Sequence, residues 1–276
     1  MTARAGLAGR TVAVTGGARG IGRAIAGVLA EAGARVVIGD IDADAAAATG
    51  AELALTAALP LDVTDPESFR AFLDAAQAAT GPLDVLVNNA GIMPVGRFAA
   101  EQDAITRRIL DINVYGVLLG TKLALPGMLD RGRGHIITVA SLAGTNPTPG
   151  MATYCASKQA VLGFTDVMRL EHRGSGVRFS AVLPTFTRTE LIAGTRAPMG
   201  LLADPGDVAR AVAGLIVRPR RRVTVTRLAG VLAVFNGLTP RPIGEFFARR
   251  LGVDRIFTDE VDRDARRAYD ERLQRK

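Results

Sequence analysis

Short runs of β-branched and other apolar residues alternate with amphipathic helical runs along most of the chain. The first two predicted strands, Thr11–Thr15 and Arg35–Asp40, flank a predicted helix that runs from Gly20 to Ala32 and is closed by Gly33. Strands with nearly continuous apolar residues, joined by helices, are typical of a parallel sheet covered on both faces. Further strands are predicted at Leu83–Val87, His135–Ala140, Val177–Leu183 and Arg222–Thr226.

Two later helices have clear start signals. Asp65-Pro66-Glu67 and Asp204-Pro205-Gly206-Asp207 each place an Asp at the N-cap and a Pro at the first helical position. A third strand is predicted to end before Asp62. The order of elements therefore predicts an α/β fold: one Rossmann-like, doubly wound domain with a seven-stranded parallel sheet and helices on both faces.

Positive charge is concentrated at the C-terminal end. The chain has 276 residues and a formal net charge of +7. Residues 1–217 contain 19 Lys and Arg and 19 Asp and Glu, whereas residues 218–276 contain 15 and 8, so the whole excess lies in the last part. This change predicts an α/β domain over residues 1–226 and a helical basic extension over residues 227–276 that is not an independent domain.

Composition excludes several classes of protein. Hydrophobic residues make up 48% of the chain and the mean hydropathy is +0.21, as in globular proteins with a buried core. The single cysteine, Cys155, excludes a disulfide framework, and two histidines far apart in sequence predict no metal site. Because neither a signal peptide nor an 18-residue apolar span is expected, the predicted location is cytoplasmic.

A glycine-rich turn connects the first strand to the first helix. In the run Thr15–Gly22, glycines let the backbone turn sharply and approach a diphosphate, whose charge meets the N–H groups at the helix start. A tight turn with nothing bound is the alternative, but the acidic Asp40 at the end of the next strand favours a dinucleotide. The residues of this turn that are predicted to bind it are Gly16, Arg19, Gly20, Ile21 and Gly22.

Asp40 and Arg19 bear on which dinucleotide binds. A carboxylate at Asp40 accepts hydrogen bonds from the adenosine ribose hydroxyls and repels a 2′-phosphate, which favours NAD. The guanidinium of Arg19, beside the second glycine, could instead pair with a 2′-phosphate. Because like-charge repulsion in a partly buried pocket is hard to offset, NAD is predicted over NADP.

Tyr154 and Lys158 are four residues apart, and therefore on the same face of a helix. An ammonium beside a phenol favours the phenolate, so Lys158 is expected to lower the pKa of Tyr154 from about 10 towards neutrality. A phenol tuned in this way can donate a proton to a carbonyl or take one from an alcohol. Taken alone, the pair could also be part of a solvated helix face.

Other motifs occur in a fixed order: Asn88-Asn89-Ala90-Gly91 after the fourth strand, Asn113, and Ser141 thirteen residues before Tyr154. With these motifs the chain resembles the short-chain dehydrogenase/reductase family over roughly residues 8–226. The resemblance implies that the α/β domain binds a dinucleotide and is catalytic. It also implies an NAD(P)(H)-dependent oxidoreductase that interconverts an apolar secondary alcohol and its ketone by hydride transfer.

The resemblance implies a role for each catalytic residue. Tyr154 acts as general acid or base at the substrate oxygen, while Lys158 lowers its pKa and hydrogen-bonds the nicotinamide ribose. Ser141 binds and polarises the same oxygen, and Asn113 holds a water that links Lys158 to solvent. Asn113 could also merely bridge two backbone groups, and Ser141 could cap a strand end. The implied cofactor contacts outside the glycine turn are Asp40, Asp62, Val63, Asn89, Ala90, Gly91, Tyr154, Lys158, Pro184, Thr187 and Thr189.

One segment departs from the family pattern. After the sixth strand the family usually shows Pro-Gly followed by a Thr, whereas this chain has Pro184-Thr185-Phe186-Thr187-Arg188-Thr189. The missing glycine affects the backbone beside the nicotinamide carboxamide, and Thr187 and Thr189 are the candidates for that contact. Asp62 is implied as the adenine contact, with a plain turn residue as the alternative.

The loop after the sixth strand, Thr187–Leu202, has little charge that could bind a carboxylate or a phosphate. Together with Leu142–Met151 it is implied to line the substrate pocket, which favours a small apolar alcohol or ketone. Closure of the core is the alternative role of its apolar residues. These are Leu191, Ile192, Pro198, Met199, Leu201 and Leu202.

The C-terminal extension is unusual for the family, and three roles compete. Arg218–Arg222 is followed by the apolar runs Leu228–Leu238 and Phe246-Phe247. The extension could be a helical lid or subunit contact, or an amphipathic membrane-surface anchor, which would make the protein a peripheral lipid or acyl reductase. Nucleic-acid binding is disfavoured, because Asp259–Asp264 interrupts the positive field and no aromatic-interleaved motif is present.

Two further expectations concern the whole chain. A catalytically silent NAD(P)-binding regulator on the same fold is the functional alternative from a different class. The intact set of Asn113, Ser141, Tyr154 and Lys158 argues against it, because a binding protein has no need of a proton relay. The resemblance also implies a homo-oligomer, at least a dimer, paired through the helices that carry Asn113 and Tyr154.

Overall fold

The computed structural model describes residues 6–196, 201–226 and 255–274. Its strands are β1 Thr11–Thr15, β2 Arg35–Asp40, β3 Ala57–Pro60, β4 Val85–Asn88, β5 Gly134–Val139, β6 Val177–Leu183, β7 Phe186–Thr187, β8 Leu202–Ala203 and β9 Arg222–Thr224. Seven of them form one parallel sheet in the order β3-β2-β1-β4-β5-β6-β9, and β7 and β8 form a small parallel pair.

Helices cover both faces of the main sheet. The helices of the described residues are α1 Gly20–Glu31, α2 Ala43–Glu52, α3 Pro66–Thr80, α4 Asp103–Leu110, α5 Gly116–Asp130, α6 Ala152–Glu171, α7 Pro205–Val217 and, away from both faces, α8 Arg263–Gln274. One core joins α1, α2 and α7 to the sheet, and the cores on the opposite face join α3, α5 and α6 to it.

Strand β1 shows why the central strands have continuous apolar sequences. Val12 and Val14 pack into the core on one face, and Ala13 packs into the core on the other. Because successive side chains of a strand point to opposite faces, a strand covered on both faces needs apolar residues throughout. The predicted α/β fold is confirmed, and the ends of the predicted strands and of the first helix differ from the observed ones by at most two residues.

Two local features of the fold were not predicted. A π-helical turn, Asp111–Tyr115, separates α4 from α5 and contains Asn113. Turns of this kind place an extra residue in a helix and are frequent at functional sites. The other feature is the β7–β8 pair, in which the segment after β6 hydrogen-bonds to Leu202–Ala203 before α7 begins.

The helical run Asp103–Asp130 has the length and composition of a membrane-spanning helix, with a mean hydropathy of 1.3 in its most apolar window. This finding corrects the expectation that no such run is present. Leu119, Leu125 and Met128 from this run lie in the core between α3 and the sheet. The run is therefore accounted for as a core helix of the α/β domain.

The described part of the C-terminal extension, residues 255–274, packs beside the carboxyl ends of the strands. Ile256 and Phe257 join an apolar cluster that also contains Tyr154. Several residues considered above lie outside the described ranges: Pro198, Met199, Leu228–Leu238 and Phe246-Phe247.

Candidate active site

Loops at the carboxyl ends of β1, β2, β4, β5 and β6 surround one cleft of about 2720 Å³. β1 and β4 are neighbours in the sheet, although the chain visits β2 and β3 on one side before it crosses to β4. A crevice at such a switch point is where open α/β sheets bind ligands. Every predicted cofactor and catalytic residue lines this cleft except Asn113, which is fully buried behind it.

The glycine turn is tight, and the helix that follows it has a free N-terminus. Gly16 and Gly20 have φ angles of 65° and 54°, and a Cβ on Gly22 would lie 2.0 Å from the Gly16 carbonyl oxygen. The side chains of Asp42 and Asp65 cap α2 and α3, whereas no side chain caps α1 and its first turn has no acidic residue. The N–H groups at the start of α1 therefore fit a diphosphate.

Asp40 ends β2 at one side of the cleft. Its two carboxylate oxygens accept hydrogen bonds from the N–H groups of Ala18 (3.0 Å) and Asp42 (3.2 Å), which fix its orientation. Arg19 reaches Asp42, with 2.6 Å between Nη2 and Oδ2. This hydrogen bond from Arg19 is the main reason why the pKa of Asp42 lies below its ordinary value. Arg19 is thus already paired with a carboxylate.

Asn89 fastens the glycine turn to the loop after β4. Its side-chain amide donates to the carbonyls of Thr15 (2.9 Å) and Gly16 (3.0 Å). The Thr15 hydroxyl oxygen accepts in return from the N–H groups of Asn89 and Ala90, each at 3.0 Å. These four hydrogen bonds hold two walls of the cleft at a fixed separation.

Other predicted cofactor contacts make local hydrogen bonds. Asp62 Oδ1 accepts from the N–H (2.8 Å) and the hydroxyl (2.7 Å) of Thr64, so this oxygen does stabilise a turn. Thr187 is buried, and its hydroxyl donates to a carbonyl two residues earlier at 3.2 Å. A Cβ on Gly20 would lie 3.3 Å from the methyl group of Thr189, which places Thr189 against the glycine turn.

Tyr154 and Ser141 meet at the end of the cleft where β5 finishes. Burial in the first turn of α6 raises the pKa of Tyr154, and a hydrogen bond with Ser141 acts in the opposite direction. Ser141 Oγ accepts from the N–H of Ala143 at 3.1 Å and so caps the short 3₁₀ helix Leu142–Gly144. Since the Ser141 hydroxyl accepts in this contact, its proton can be donated to Tyr154 or, when a substrate is bound, to the substrate oxygen.

Lys158 follows Tyr154 by one helical turn, and it is also buried. Its Nζ donates to the Val139 carbonyl at 3.1 Å and lies 5.6 Å from the centroid of the Tyr154 ring. Burial lowers the pKa of Lys158 to about 8. The expectation of a lowered Tyr154 pKa is wrong for this structure, because the loss of water around the phenol outweighs the charge of an ammonium that hydrogen-bonds elsewhere.

The side chain of Asn113 bridges backbone groups, which the sequence had left open as an alternative. Oδ1 accepts from the N–H of Ile92 (2.8 Å), and Nδ2 donates to the Ile92 carbonyl (2.9 Å) and the Ser157 hydroxyl (3.2 Å). A Cβ on Gly91 would lie 3.2 Å from Asn113 Oδ1 and 3.5 Å from Lys158 Nζ. Asn113 and Lys158 therefore flank the same glycine.

The segment that lacks the family glycine packs against the C-terminal extension. Phe186 stacks on Phe257, with ring centroids 5.5 Å apart and an angle of 13° between the planes. The hydroxyl of Thr185 is buried and has no hydrogen-bond partner among the described residues. The aromatic residue in this segment therefore has a packing role that depends on residues about 70 positions later in the chain.

The extension contributes residues to the cleft that were not predicted from the sequence. Tyr269, on α8, is 7% exposed, and its hydroxyl oxygen accepts from the N–H of Met93 at 2.9 Å. A weak signal existed, because Arg266, Tyr269 and Leu273 have the i, i+3, i+7 spacing of one helix face. However, an arginine at the first of these positions is typical of a solvent-exposed helix face. The cleft-lining residues of the extension are Phe257, Tyr269, Arg272 and Leu273.

Comparison with known proteins places the chain in a family. The family model described as short chain dehydrogenase matches residues 10–199. The chain is 37% identical over 217 residues to 2,5-dichloro-2,5-cyclohexadiene-1,4-diol dehydrogenase LinX of Sphingobium indicum, covering 74% of this chain and 87% of that protein. It is 39% identical over 249 residues to cis-4-hydroxycyclohexanecarboxylate dehydrogenase of Sinomonas cyclohexanicum, covering 84% and 98%.

A solved structure agrees with these relatives. The crystal structure of a 3-ketoacyl-(acyl-carrier-protein) reductase from Brucella melitensis complexed with NADH superimposes with a TM-score of 0.74 at 29% identity, covering 80% of this chain and 98% of that one. Family and fold thus support a nicotinamide cofactor. The chain belongs to the short-chain dehydrogenase/reductase family, as an oxidoreductase that acts on CH–OH groups.

Proposed function

We propose that the chain is an NAD(H)-dependent enzyme that interconverts an apolar secondary alcohol and its ketone in this cleft, with Tyr154 as general acid and base. One observation carries the proposal: Tyr154, Ser141 and Lys158 line the same cavity as the free N-terminus of α1. A helix end suited to a diphosphate and a buried phenol beside a second hydroxyl are what dinucleotide binding and proton transfer require.

Each residue around the reacting oxygen has a separate role in the proposed reaction. A bound nicotinamide cofactor supplies or accepts the hydride. In reduction, Tyr154 donates its phenolic proton to the ketone oxygen, and its raised pKa keeps it protonated at neutral pH. Ser141 donates a hydrogen bond to the same oxygen, without transferring its proton, and stabilises the negative charge that develops there. In oxidation, the alcohol proton returns to Tyr154.

Lys158 and Asn113 act behind Tyr154. With a pKa of about 8, Lys158 is mostly protonated at neutral pH and stabilises the phenolate that forms after proton donation. Asn113 holds the backbone of Ile92 through two hydrogen bonds and so fixes the loop that carries Gly91. The second lone pair of its Oδ1 remains for a water that returns a proton from solvent to Lys158.

The geometry at the end of β2 supports NAD over NADP. Asp40 is held by two backbone N–H groups with its charge at the edge of the cleft. Arg19, the cation that could bind a 2′-phosphate, is paired with Asp42 at 2.6 Å. A 2′-phosphate would meet a carboxylate at Asp40 and would have to compete with Asp42 for Arg19.

The apolar cluster around Tyr154 supports a hydrophobic cyclic substrate. Met93, Met151, Ile256 and Phe257 lie with Tyr154 in one buried apolar cluster. The two curated relatives described above are named for cyclic alcohols, a cyclohexadiene diol and a hydroxycyclohexane carboxylate. Apolar walls bind such a ring through burial of its surface, and Tyr154 with Ser141 then selects the carbinol oxygen.

Replacement of Tyr154 by Phe tests this function. The change keeps the ring but removes the proton, so we expect kcat to fall by roughly 10²–10⁴-fold while the Kd for NADH changes less than about twofold. Turnover is measured on a panel of hydrophobic alcohols and ketones, with NAD and NADP forms in parallel. Tyr115→Phe, at an exposed position, is the matched control and should keep full activity.

Two results would contradict the proposal in different ways. Turnover by Tyr154→Phe at the wild-type rate would show that the phenol is not the acid or base. Binding of NADH by the wild type without turnover of any alcohol or ketone in the panel would favour the catalytically silent regulator.

A further inference from the structure

We infer that Tyr269, on the C-terminal helix α8, binds the substrate by donating a hydrogen bond to a second, uncharged oxygen on the ring that carries the reacting carbinol. The inference rests on the proposed function, since it assigns a second polar contact to the same substrate. It concerns a residue outside the motifs of the α/β domain.

Tyr269 lies at the reaction end of the cleft. It lines the cavity together with Tyr154, and its side chain is almost fully buried there. Burial is the main reason why the pKa of Tyr154 is raised, and the nearby phenol of Tyr269 adds to that rise. Met93 links the two phenols, since its N–H donates to the Tyr269 hydroxyl and its side chain packs in the same apolar cluster as Tyr154. Both phenols therefore lie at the same end of the cleft, where one small molecule can contact both.

The hydroxyl of Tyr269 has a proton to offer. Its oxygen accepts from the N–H of Met93 at 2.9 Å, which fixes the orientation of the C–O bond. Burial raises the pKa of Tyr269 to about 12, so the hydroxyl stays protonated and acts as a donor. A phenol that already accepts one hydrogen bond has its own proton left for a ligand.

The surroundings of the Tyr269 hydroxyl are apolar, so a hydrogen-bond acceptor on the substrate is favourable there. Met93, whose N–H binds this hydroxyl, belongs to an apolar cluster with Leu191 and Phe257, and all three line the cleft together with Tyr269. A donor that is shielded from water without an acceptor is unfavourable in free energy. A substrate with a hydroxyl, keto or ether oxygen at this position removes that cost, whereas a methyl group there imposes it.

Arg266 anchors the helix that carries Tyr269. Its guanidinium is 1% exposed and donates to the carbonyls of Leu191 (2.9 Å), Ala193 (3.2 Å) and Met93. It also lies 4.7 Å from the centroid of the Tyr269 ring and is paired with Asp270, which lies one turn further along α8. Arg266 thus joins α8 to the loops after β4 and β6, which form two walls of the pocket.

Further contacts hold the extension independently of Tyr269. Arg97 makes two hydrogen bonds with the carboxylate of Asp259, at 2.8 and 3.0 Å. The N–H of Asp262 donates to the Gly194 carbonyl at 2.8 Å. Removal of the Tyr269 hydroxyl should therefore leave α8 in place.

The test compares Tyr269→Phe with wild type on two alcohols of equal size, cyclohexane-1,4-diol and 4-methylcyclohexanol, with NAD as oxidant. Only the diol has a second oxygen. We expect the wild type to prefer the diol and the variant to lose about tenfold of that preference in kcat/KM, mainly through KM, which corresponds to about 1.4 kcal/mol. Tyr115→Phe should keep the wild-type preference.

Each outcome decides the inference. Equal kcat/KM values for the two alcohols in the wild type, or an unchanged preference in Tyr269→Phe, would overturn it while leaving the proposed function intact. If turnover is too slow to measure, the affinities of the two alcohols for the NAD-loaded proteins are measured by calorimetry instead. Equal affinities for the two alcohols, or no binding of either, would also overturn the inference. Failure of the proposed function is recognised separately, by turnover of both alcohols in Tyr154→Phe.

Discussion

At the scale of single residues, the pKa values of Tyr154 and Lys158 shift in opposite directions for the same reason. Removal from water disfavours the phenolate of Tyr154 and the ammonium of Lys158 alike, so the pKa of the first rises and that of the second falls to about 8. At neutral pH Tyr154 keeps its proton and Lys158 keeps most of its own. The pair is therefore set to donate a proton to a ketone, and abstraction of a proton from an alcohol becomes easier as the pH rises.

The proposed preference for NAD over NADP also rests on single residues, and Asp42 is the most informative one to change. Asp42→Asn removes the negative charge that holds Arg19 but keeps an oxygen that can accept from the N–H of Ala45 and cap α2. The freed guanidinium of Arg19 should then attract a 2′-phosphate. We expect the ratio of kcat/KM for NADP to that for NAD to rise about tenfold, corresponding to about 1.4 kcal/mol.

The double variant Asp42→Asn with Arg19→Ala should lose this gain, because the guanidinium is then absent. Asp65→Asn is the matched control, since it changes an N-cap carboxylate of α3 rather than one that pairs with Arg19. An NADP to NAD ratio that stays at the wild-type value in Asp42→Asn would contradict this explanation of cofactor choice.

At the scale of elements, the sequence predicted those parts whose signals are local. β1, the glycine turn and α1 follow one another within about 20 residues, and each has its own apolar pattern, turn glycine or helix start. The π-helical turn at Asp111–Tyr115 has no such periodic signal. Burial of Arg266 depends on carbonyls of Met93 and Leu191, which are more than 70 positions away in sequence. Hydrogen bonds between a buried polar group and residues distant in sequence cannot be predicted from a local sequence pattern.

The packing of β5 against β6 predicts a pH dependence of stability. His135 on β5 is buried with Nε2 2.9 Å from the hydroxyl oxygen of Ser180 on β6, and burial lowers its pKa to about 3. As the pH falls below about 6.5, the unfolded chain binds a proton that the folded chain does not. The free energy of unfolding should therefore fall by up to about 1.4 kcal/mol per pH unit between about pH 6.5 and about pH 3.

Urea unfolding of His135→Gln over this pH range measures the contribution. The variant has no imidazole to protonate, so its free energy of unfolding should depend less steeply on pH by up to that amount. Ser180→Ala keeps the buried imidazole and should keep the steep dependence, although it is less stable at every pH. Equal slopes for His135→Gln and wild type would show that His135 is not the group responsible.

At the scale of the whole molecule, each end of the chain completes the cleft in a different way. The glycine turn near the N-terminus leads into the uncapped start of α1, where we propose that the diphosphate binds, and α8 near the C-terminus lines the cleft at the proposed substrate pocket. For residues 255–274 this arrangement supports the lid role among those considered for the extension. If the proposed substrate pocket is correct, substrate binding depends on the folding of the extension, because Arg266 hydrogen-bonds α8 to the loops after β4 and β6.

Exposed apolar side chains on the helical face opposite α1 and α7 predict self-association. Leu110 and Tyr115 are 41% and 44% exposed, and Val167 and Leu170 on α6 are 57% and 50% exposed. The two helical segments that carry them pack side by side, so these side chains present apolar surface in one region. We propose that a second copy of the chain covers this region, and we expect light scattering to give at least twice the 28.9 kDa mass of the chain.

Val167→Glu places a charge on α6 in this region and should shift the protein towards monomer, because an unpaired carboxylate buried at an interface is strongly unfavourable. Phe98→Glu is the matched control, since Phe98 is 62% exposed but lies in the loop after β4. It should leave the mass unchanged. A monomeric wild type, or an unchanged mass for Val167→Glu at concentrations down to about the micromolar range, would exclude this face as the subunit contact, since an interface weakened by several kcal/mol should dissociate there.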